Sequence, residues 1–338
     1  MEILLEIIFL LVGFVLLIKG ADYFVEGSSA VAKKLKVPSI VIGLTIVAIG
    51  TSMPELAVST FASAQNSNDI ALSNVIGSNI FNLLVVLGFS ALFHQIRVKS
   101  SIVKREFPFL LVVTIITILL AGDRVWSGKI TNLSQIFTFQ HGSNPIGVVG
   151  RLDGILFVLL FVGFLWWTVR YALKERQKNQ EENEEQLLSA QKCVLFILGG
   201  IIAIVAGGEV VVYCAKKLAL AAGMSEVLVG LTVVALGTSL PELVTSAVAA
   251  KKGEADIAVG NVVGSNIANI LLVLGMSATI SPVGVVSMSL VDTIVSLVAT
   301  LLVWGVAGND KKIKRPEGIL LLLVYFAYMA YIICRQYL

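Results

Sequence analysis

Long apolar runs alternate along the chain with short polar or basic breaks. A helix crossing the hydrocarbon of a bilayer needs about 20 mainly apolar residues. Ten runs of about that length are visible, at 3–21, 39–62, 70–93, 107–121, 153–172, 193–214, 226–249, 257–280, 288–308 and 317–334. The pattern predicts an all-α integral membrane protein with ten transmembrane helices. The first run carries Glu2 and Glu6 where a secretory signal would be positive, so it is expected to be retained as helix 1. Helices 2 and 7 contain Pro54 and Pro241, each with a glycine four residues earlier, Gly50 and Gly237. Proline removes a backbone donor and crowds the preceding turn, so both helices should break near mid-membrane. Helices 3 and 8 are expected to be interrupted as well.

Composition supports this picture: 57% of residues are hydrophobic and 14% charged, against about 25% charged in an ordinary soluble domain. Charge distribution then gives orientation. With an external N-terminus, 19 of the 25 Lys and Arg fall on the cytoplasmic side, which predicts both termini outside. Cys193, Cys214 and Cys334 are isolated in or beside apolar runs and are expected to pack. Local expectations are few. Lys19 and Asp22 have the spacing to pair on one helix face, with interfacial anchoring the preferred role. Asn68 or Asp69, and Asp256 in the matching position, are expected as N-caps. Glu106 and Pro108 should open helix 4. The polar stretch 122–152, which includes His141, is expected to be external and without chemistry. Residues 174–192, dense in charge, should form a solvated helix or a cytoplasmic linker.

The polar residues inside the apolar runs are duplicated. Gly43-Leu-Thr-Ile-Val-Ala-Ile-Gly-Thr-Ser-Met-Pro-Glu55 matches Gly230-Leu-Thr-Val-Val-Ala-Leu-Gly-Thr-Ser-Leu-Pro-Glu242. At a constant offset of 187, residues 43–88 and 230–275 share 27 identities in 46 positions, including Asn74-Val75 with Asn261-Val262 and Gly77-Ser78-Asn79-Ile80-x-Asn82 with Gly264-Ser265-Asn266-Ile267-x-Asn269. Helices 5 and 10 open alike, Arg151-Leu-Asp-Gly-Ile-Leu and Arg315-Pro-Glu-Gly-Ile-Leu. Five helices per copy is an odd number, so the copies must enter the membrane from opposite sides. The expected organisation is a first five-helix repeat at 1–173, the linker at 174–192, and a second, inverted repeat at 193–338. Inverted repeats with interrupted helices at matching positions point to a transport site near the midplane.

The duplicated clusters offer hard oxygen donors: the carboxylates of Glu55 and Glu242, the hydroxyls of Thr51, Ser52, Ser78, Thr238, Ser239 and Ser265, the amides of Asn82 and Asn269, and carbonyls freed before the prolines. Such donors suit Ca2+, and Na+ with less charge. Neither motif holds Cys or His, which argues against soft metals. Small residues and Ser, Thr or Asn are also ordinary contacts between membrane helices, a reading that would account for Gly43, Gly77, Ser78, Gly88 and their counterparts, and for the glycines packing is the preferred role. An ionisable residue within the membrane is by default functional.

Gly-Thr-Ser-x-Pro-Glu followed by Gly-Ser-Asn-Ile-x-Asn, in two copies, resembles the calcium/cation antiporter superfamily, specifically its prokaryotic sodium/calcium exchangers. The resemblance spans all ten helices. It implies exchange of Na+ for Ca2+ by alternating access, with helices 1 and 6 sliding across a core of the other eight, and no cofactor beyond the transported ions. It makes Glu55 and Glu242 the central Ca2+ ligands. Thr51 and Thr238 would add backbone carbonyls, Ala48, Ser52, Ala235 and Ser239 would line flanking Na+ sites, and Ser78, Asn82, Ser265 and Asn269 would complete the set. Some relatives carry Asp at the position of Asn269, whereas both copies here have Asn. The partners expected are inorganic cations and the lipid bilayer of the cell membrane, with no nucleic acid and no obligatory protein partner, a monomer sufficing. Three other readings compete: a proton/calcium antiporter, an intramembrane aspartyl-type protease, and a cation channel. A nucleotide-driven pump is disfavoured by the lack of a phosphate-binding loop motif.

Overall fold

The computed structural model describes residues 2–65, 68–126, 145–178, 188–223 and 235–335. The helices are α1 (Glu2–Leu35), α2 (Ser39–Thr51), α3 (Met53–Ala64), α4 (68–93), α5 (100–121), α6 (Asp123–Trp126), α7 (Arg151–Lys178), α8 (Ala190–Ala221), α9 (Ala235–Gly237), α10 (Leu240–Lys251), α11 (Ala255–Ile280), α12 (Ser287–Asp310) and α13 (Arg315–Arg335). Four short strands accompany them: β1 (Ile96–Arg97), β2 (Gly147–Val149), β3 (Val283–Val285) and β4 (Lys312–Ile313). Among the described residues seven helices are long and apolar enough to cross a membrane, and the bent pair α2–α3 makes an eighth candidate. Of the other two expected spans, 107–121 lies within α5 after its π turn, and 226–249 falls partly outside the described residues. So do most of the 122–152 stretch, His141 included, and the middle of the 174–192 linker.

The chain divides into two compact units, each drawing on both halves of the sequence. The first comprises 1–54 and 165–265. Its core joins α1, α2, α8, α10 and the start of α11 through Leu17, Phe24, Ile42, Val47, Ile204, Val211, Ala249 and Ile257. Small residues let the helices approach: a Cβ on Gly207 would lie 2.8 Å from the Gly13 carbonyl, and one on Gly200 2.8 Å from that of Gly20. In the same unit Asp22 pairs with Lys252 at 2.6 Å, and Ser29 donates to Glu254. Asp22 therefore reaches across to the α10–α11 turn, where an ammonium is available, and its partner is not the expected Lys19. Asp256 lies inside the first turn of α11 and not at its cap, since the helix already opens at Ala255. Its charge then favours the helix by facing the positive end of the dipole. Helix α4 opens at Asn68, but the side chains of Asn68 and Asp69 lie outside the described residues.

The second unit comprises 55–164 and 266–338. Here α5 begins before Glu106 and Pro108, contrary to expectation, and takes a π turn over Ile102–Glu106. The wider turn relieves the clash that proline imposes on an α-helix interior. The Val103 carbonyl within it accepts from the Trp304 indole at 2.7 Å. Two antiparallel ribbons cross the duplication: β1, which follows α4, pairs with β4, and β3, which follows α11, pairs with β2. The glycine contacts are equally reciprocal. A Cβ on Gly318 would stand 2.7 Å from the Gly88 carbonyl, and one on Gly154 2.6 Å from that of Gly275. Gly88 and Gly275 thus act in packing as expected, while a Cβ on Gly77 would meet nothing within 4 Å. Gly154→Ala is expected to destabilise the protein by about 1–3 kcal/mol, because the two nearest obstructing atoms, the Gly275 carbonyl and the Thr279 nitrogen, are backbone. Gly163→Ala in the same helix, where a Cβ meets nothing within 4 Å, should be neutral or stabilising by up to about 1 kcal/mol. Thermal unfolding of the two variants in detergent measures the difference.

Candidate functional site

Both predicted helix breaks are formed, and they share one geometry. Helix α2 stops at Thr51, and the axis turns by 47° into α3. Ser52 at the break has φ −84° and ψ 8°; Ser239, its counterpart between α9 and α10, has φ −93° and ψ 6°. Pro54 and Pro241 lack the N–H that would cover the carbonyls of Gly50 and Gly237. Those glycines also make room for neighbours, since a Cβ on Gly50 would lie 3.0 Å from Ile201 and one on Gly237 2.3 Å from Val212. The same Gly-Thr-Ser-x-Pro sequence therefore provides both the break and its fit against α8.

In the first unit the break assembles an oxygen cluster. Glu242 is fully buried, and its Oε1 accepts from Ser52 Oγ at 3.0 Å and from Ser265 Oγ at 3.4 Å. Ser265 Oγ also lies 3.4 Å from the Ala48 carbonyl and from Thr51 Oγ1. Thr51 donates to Asn261 Oδ1 at 2.9 Å, and Asn261 Nδ2 donates to Ser246 Oγ at 2.9 Å. Five predicted residues, Ala48, Thr51, Ser52, Glu242 and Ser265, are thus brought together. Among the described residues Glu242 Oε2 has no hydrogen-bond partner. Thr238 is half-buried and Ser239 buried at the α9–α10 break; Ala235 opens α9, and its side chain lies outside the described residues.

In the second unit Glu55 is also fully buried, and Ser78 Oγ donates to its Oε1 at 3.4 Å. Asn74 Nδ2 donates to Ser59 Oγ at 3.0 Å, repeating the Asn261–Ser246 pair at equivalent positions. Asn269 Nδ2 donates to Asn79 Oδ1 at 3.1 Å. Asn82 is buried with neither amide atom bonded among the described residues. Both Asn82 and Asn269 open π turns, at Asn82–Val86 and Asn269–Leu274. Both α4 and α11 run continuously through these turns, so where interruptions were expected in helices 3 and 8 there is a widened turn and not a break. The residues that sequence reasoning did not single out are Asn74, Asn79, Asn261 and Asn266. All four are identical between the copies, and that identity was the available signal.

Carboxylate, hydroxyl, amide and carbonyl oxygens gathered in a buried cluster suit a hard cation. A buried carboxylate lacking a counter-charge costs several kcal/mol, and a bound cation offsets that cost.

A family model described as sodium/calcium exchanger protein matches residues 5–170 and 192–334. The chain is 39% identical over 333 residues to CaxA of Alkalimonas amylolytica, covering 96% of this chain and 98% of that one. It is 34% identical over 345 residues to the sodium/calcium exchanger MaX1 of Methanosarcina acetivorans, covering 97% and 98%. The structure of the sodium-calcium exchanger NCX_Mj soaked with 2.5 mM Na+ and 10 mM Sr2+ superposes with a TM-score of 0.79 at 33% identity, covering 97% of this chain and 99% of that one.

Proposed function

The chain belongs to the sodium/calcium exchanger protein family, and from that premise we propose that it exchanges Na+ for Ca2+ across the cell membrane by alternating access. It is a multi-pass membrane transporter and not an enzyme. In this reading Glu55 and Glu242 supply the two carboxylates for Ca2+. The carbonyls of Thr51 and Thr238 contribute to the same ligand set, and Ala48, Ser52, Ala235 and Ser239 line the Na+ sites. Ser78, Asn82, Ser265 and Asn269 complete the coordination.

The observation that carries this reading is the Glu242 cluster, where one carboxylate oxygen gathers Ser52 and Ser265 while the other has no partner among the described residues. A structural carboxylate at this depth would be paired on both oxygens. The proposed architecture is ten helices in two inverted five-helix repeats, 1–173 and 193–338, joined by the 174–192 linker, with both termini outside and a single chain sufficient for transport. The reciprocal ribbons and glycine contacts support the inversion, because equivalent elements exchange partners between copies. The excess of Lys and Arg on one side supports the orientation.

Uptake of radiolabelled Ca2+ into proteoliposomes loaded with Na+ tests the proposal. Uptake is expected when Na+ is absent outside and should vanish when Na+ is equal on both sides. Uptake driven only by an imposed pH gradient would instead identify a proton-coupled exchanger, and flux without a counter-ion would identify a channel.

A further inference from the structure

Asn79 and Asn266 occupy equivalent positions in the two copies, and each side-chain Nδ2 donates to the other's backbone carbonyl at 3.2 Å. Both are buried. A carbonyl can only accept, so each amide must turn its nitrogen toward the other backbone and leave Oδ1 as its remaining polar atom. Asn79 Oδ1 then accepts from Asn269 Nδ2 at 3.1 Å. This fixes the second amide in turn: Asn269 is held by its nitrogen, and its buried Oδ1 has no partner among the described residues. The first copy does not repeat the arrangement. Asn82 does not donate to Asn266, and among the described residues neither Asn266 Oδ1 nor either amide atom of Asn82 has a partner.

We propose that Asn79 is a positioning residue for the transported cation: it holds Asn269 so that Oδ1 is presented as a ligand, while Asn82 is left free to turn. The inference rests on the reading of Asn269 as an ion ligand. A buried amide oxygen without a donor costs about 1–3 kcal/mol, and a cation removes that cost. Partners that orient a metal ligand typically contribute about 10–100-fold to affinity. The two copies then supply different ligands from identical residues, one fixed beforehand and one adaptable. If the asparagines served only to join α4 to α11, Asn79 and Asn266 would be interchangeable, since their mutual bonds are the same. They differ only in what their Oδ1 atoms hold.

The test uses the purified full chain, with equilibrium binding of Ca2+ in detergent and the KM for Ca2+ in proteoliposomes. Asn269→Ala and Asn79→Ala are each expected to raise the Ca2+ Kd about tenfold, and Asn266→Ala to leave it near native. The double variant Asn79→Ala/Asn269→Ala should bind no more weakly than Asn269→Ala alone, because Asn79 acts through Asn269. Equal effects of Asn79→Ala and Asn266→Ala, or effects that multiply in the double variant, would overturn the inference. A native Kd in Asn269→Ala would remove Asn269 from the ligand set and the inference with it. A weakened Asn269→Ala beside a native Asn79→Ala would overturn the positioning role alone. Should Asn79→Ala fail to fold, Asn79→Asp replaces it. That variant keeps the acceptor and loses the donor, so its Kd must be no weaker than native, and a weakened one overturns the proposal.

Discussion

Glu242→Gln is expected to abolish Ca2+ uptake at low Ca2+ while raising thermal stability. The amide keeps one acceptor for Ser52 and Ser265, which hold Oε1 at 3.0 and 3.4 Å. It loses the charge. At an effective dielectric of about 20, a unit charge at about 4 Å is worth roughly 4 kcal/mol, and a divalent cation doubles this. Even if desolvation cancels all but about 2 kcal/mol, Ca2+ affinity falls about thirtyfold. The same substitution removes a buried anion that has no cationic partner among the described residues, which is costly in the ion-free protein. Opposite signs in activity and stability would mark the residue as functional. Ca2+ uptake equal to that of the native protein, measured in proteoliposomes at matched protein content, would eliminate Glu242 as a ligand. Glu55→Gln should lower uptake in the same way.

Arg335→Ala should have the largest effect on stability, about 3–5 kcal/mol, with Asp292→Asn close behind. Both guanidinium nitrogens of Arg335 reach Asp292, Nη1 to Oδ1 and Nη2 to Oδ2, at 2.7 Å each. The pair is largely shielded, with side-chain exposures of 10% and 17%, and the guanidinium also lies 5.4 Å from the ring centre of Tyr331. Removing one partner strands the other's charge between α12 and α13. Replacing both, as Asp292→Leu/Arg335→Met, should recover most of the loss, since a well-packed apolar pair avoids the desolvation penalty. Thermal unfolding in detergent measures all three variants. A midpoint unchanged in Arg335→Ala would show the pair to be energetically neutral.

The features legible in the sequence were those set by local chemistry. Proline four residues after glycine predicts the breaks, and the breaks are formed at Ser52 and Ser239 with matching angles. Intramembrane carboxylates among hydroxyls predict a cluster, and Ser52, Ser265, Thr51 and the Ala48 carbonyl gather beside Glu242. What stayed hidden depended on distance or on small changes of helical pitch. The partner of Asp22 is Lys252, 230 positions away, which no helix-spacing rule can reach. The π turns at Asn82 and Asn269 insert one residue into a turn and barely disturb the apolar pattern. The start of α5 ahead of Pro108 was missed for the same reason. The asparagines that pair with other side chains were visible as identities between the copies, but their roles follow from contacts across the fold.

The two short ribbons constrain the order in which the chain is completed. Ile96 pairs with Ile313, and Val149 with Val283, so each strand made early waits for a partner made much later. Contacts so distant in sequence form late, because a long loop must close before they are rewarded. During synthesis β1 has no mate until the chain has been made as far as Ile313, and closure of β4 on it acts as a clasp. A nascent first half therefore retains unsatisfied strand edges, and truncation before Lys312 leaves one of them open permanently.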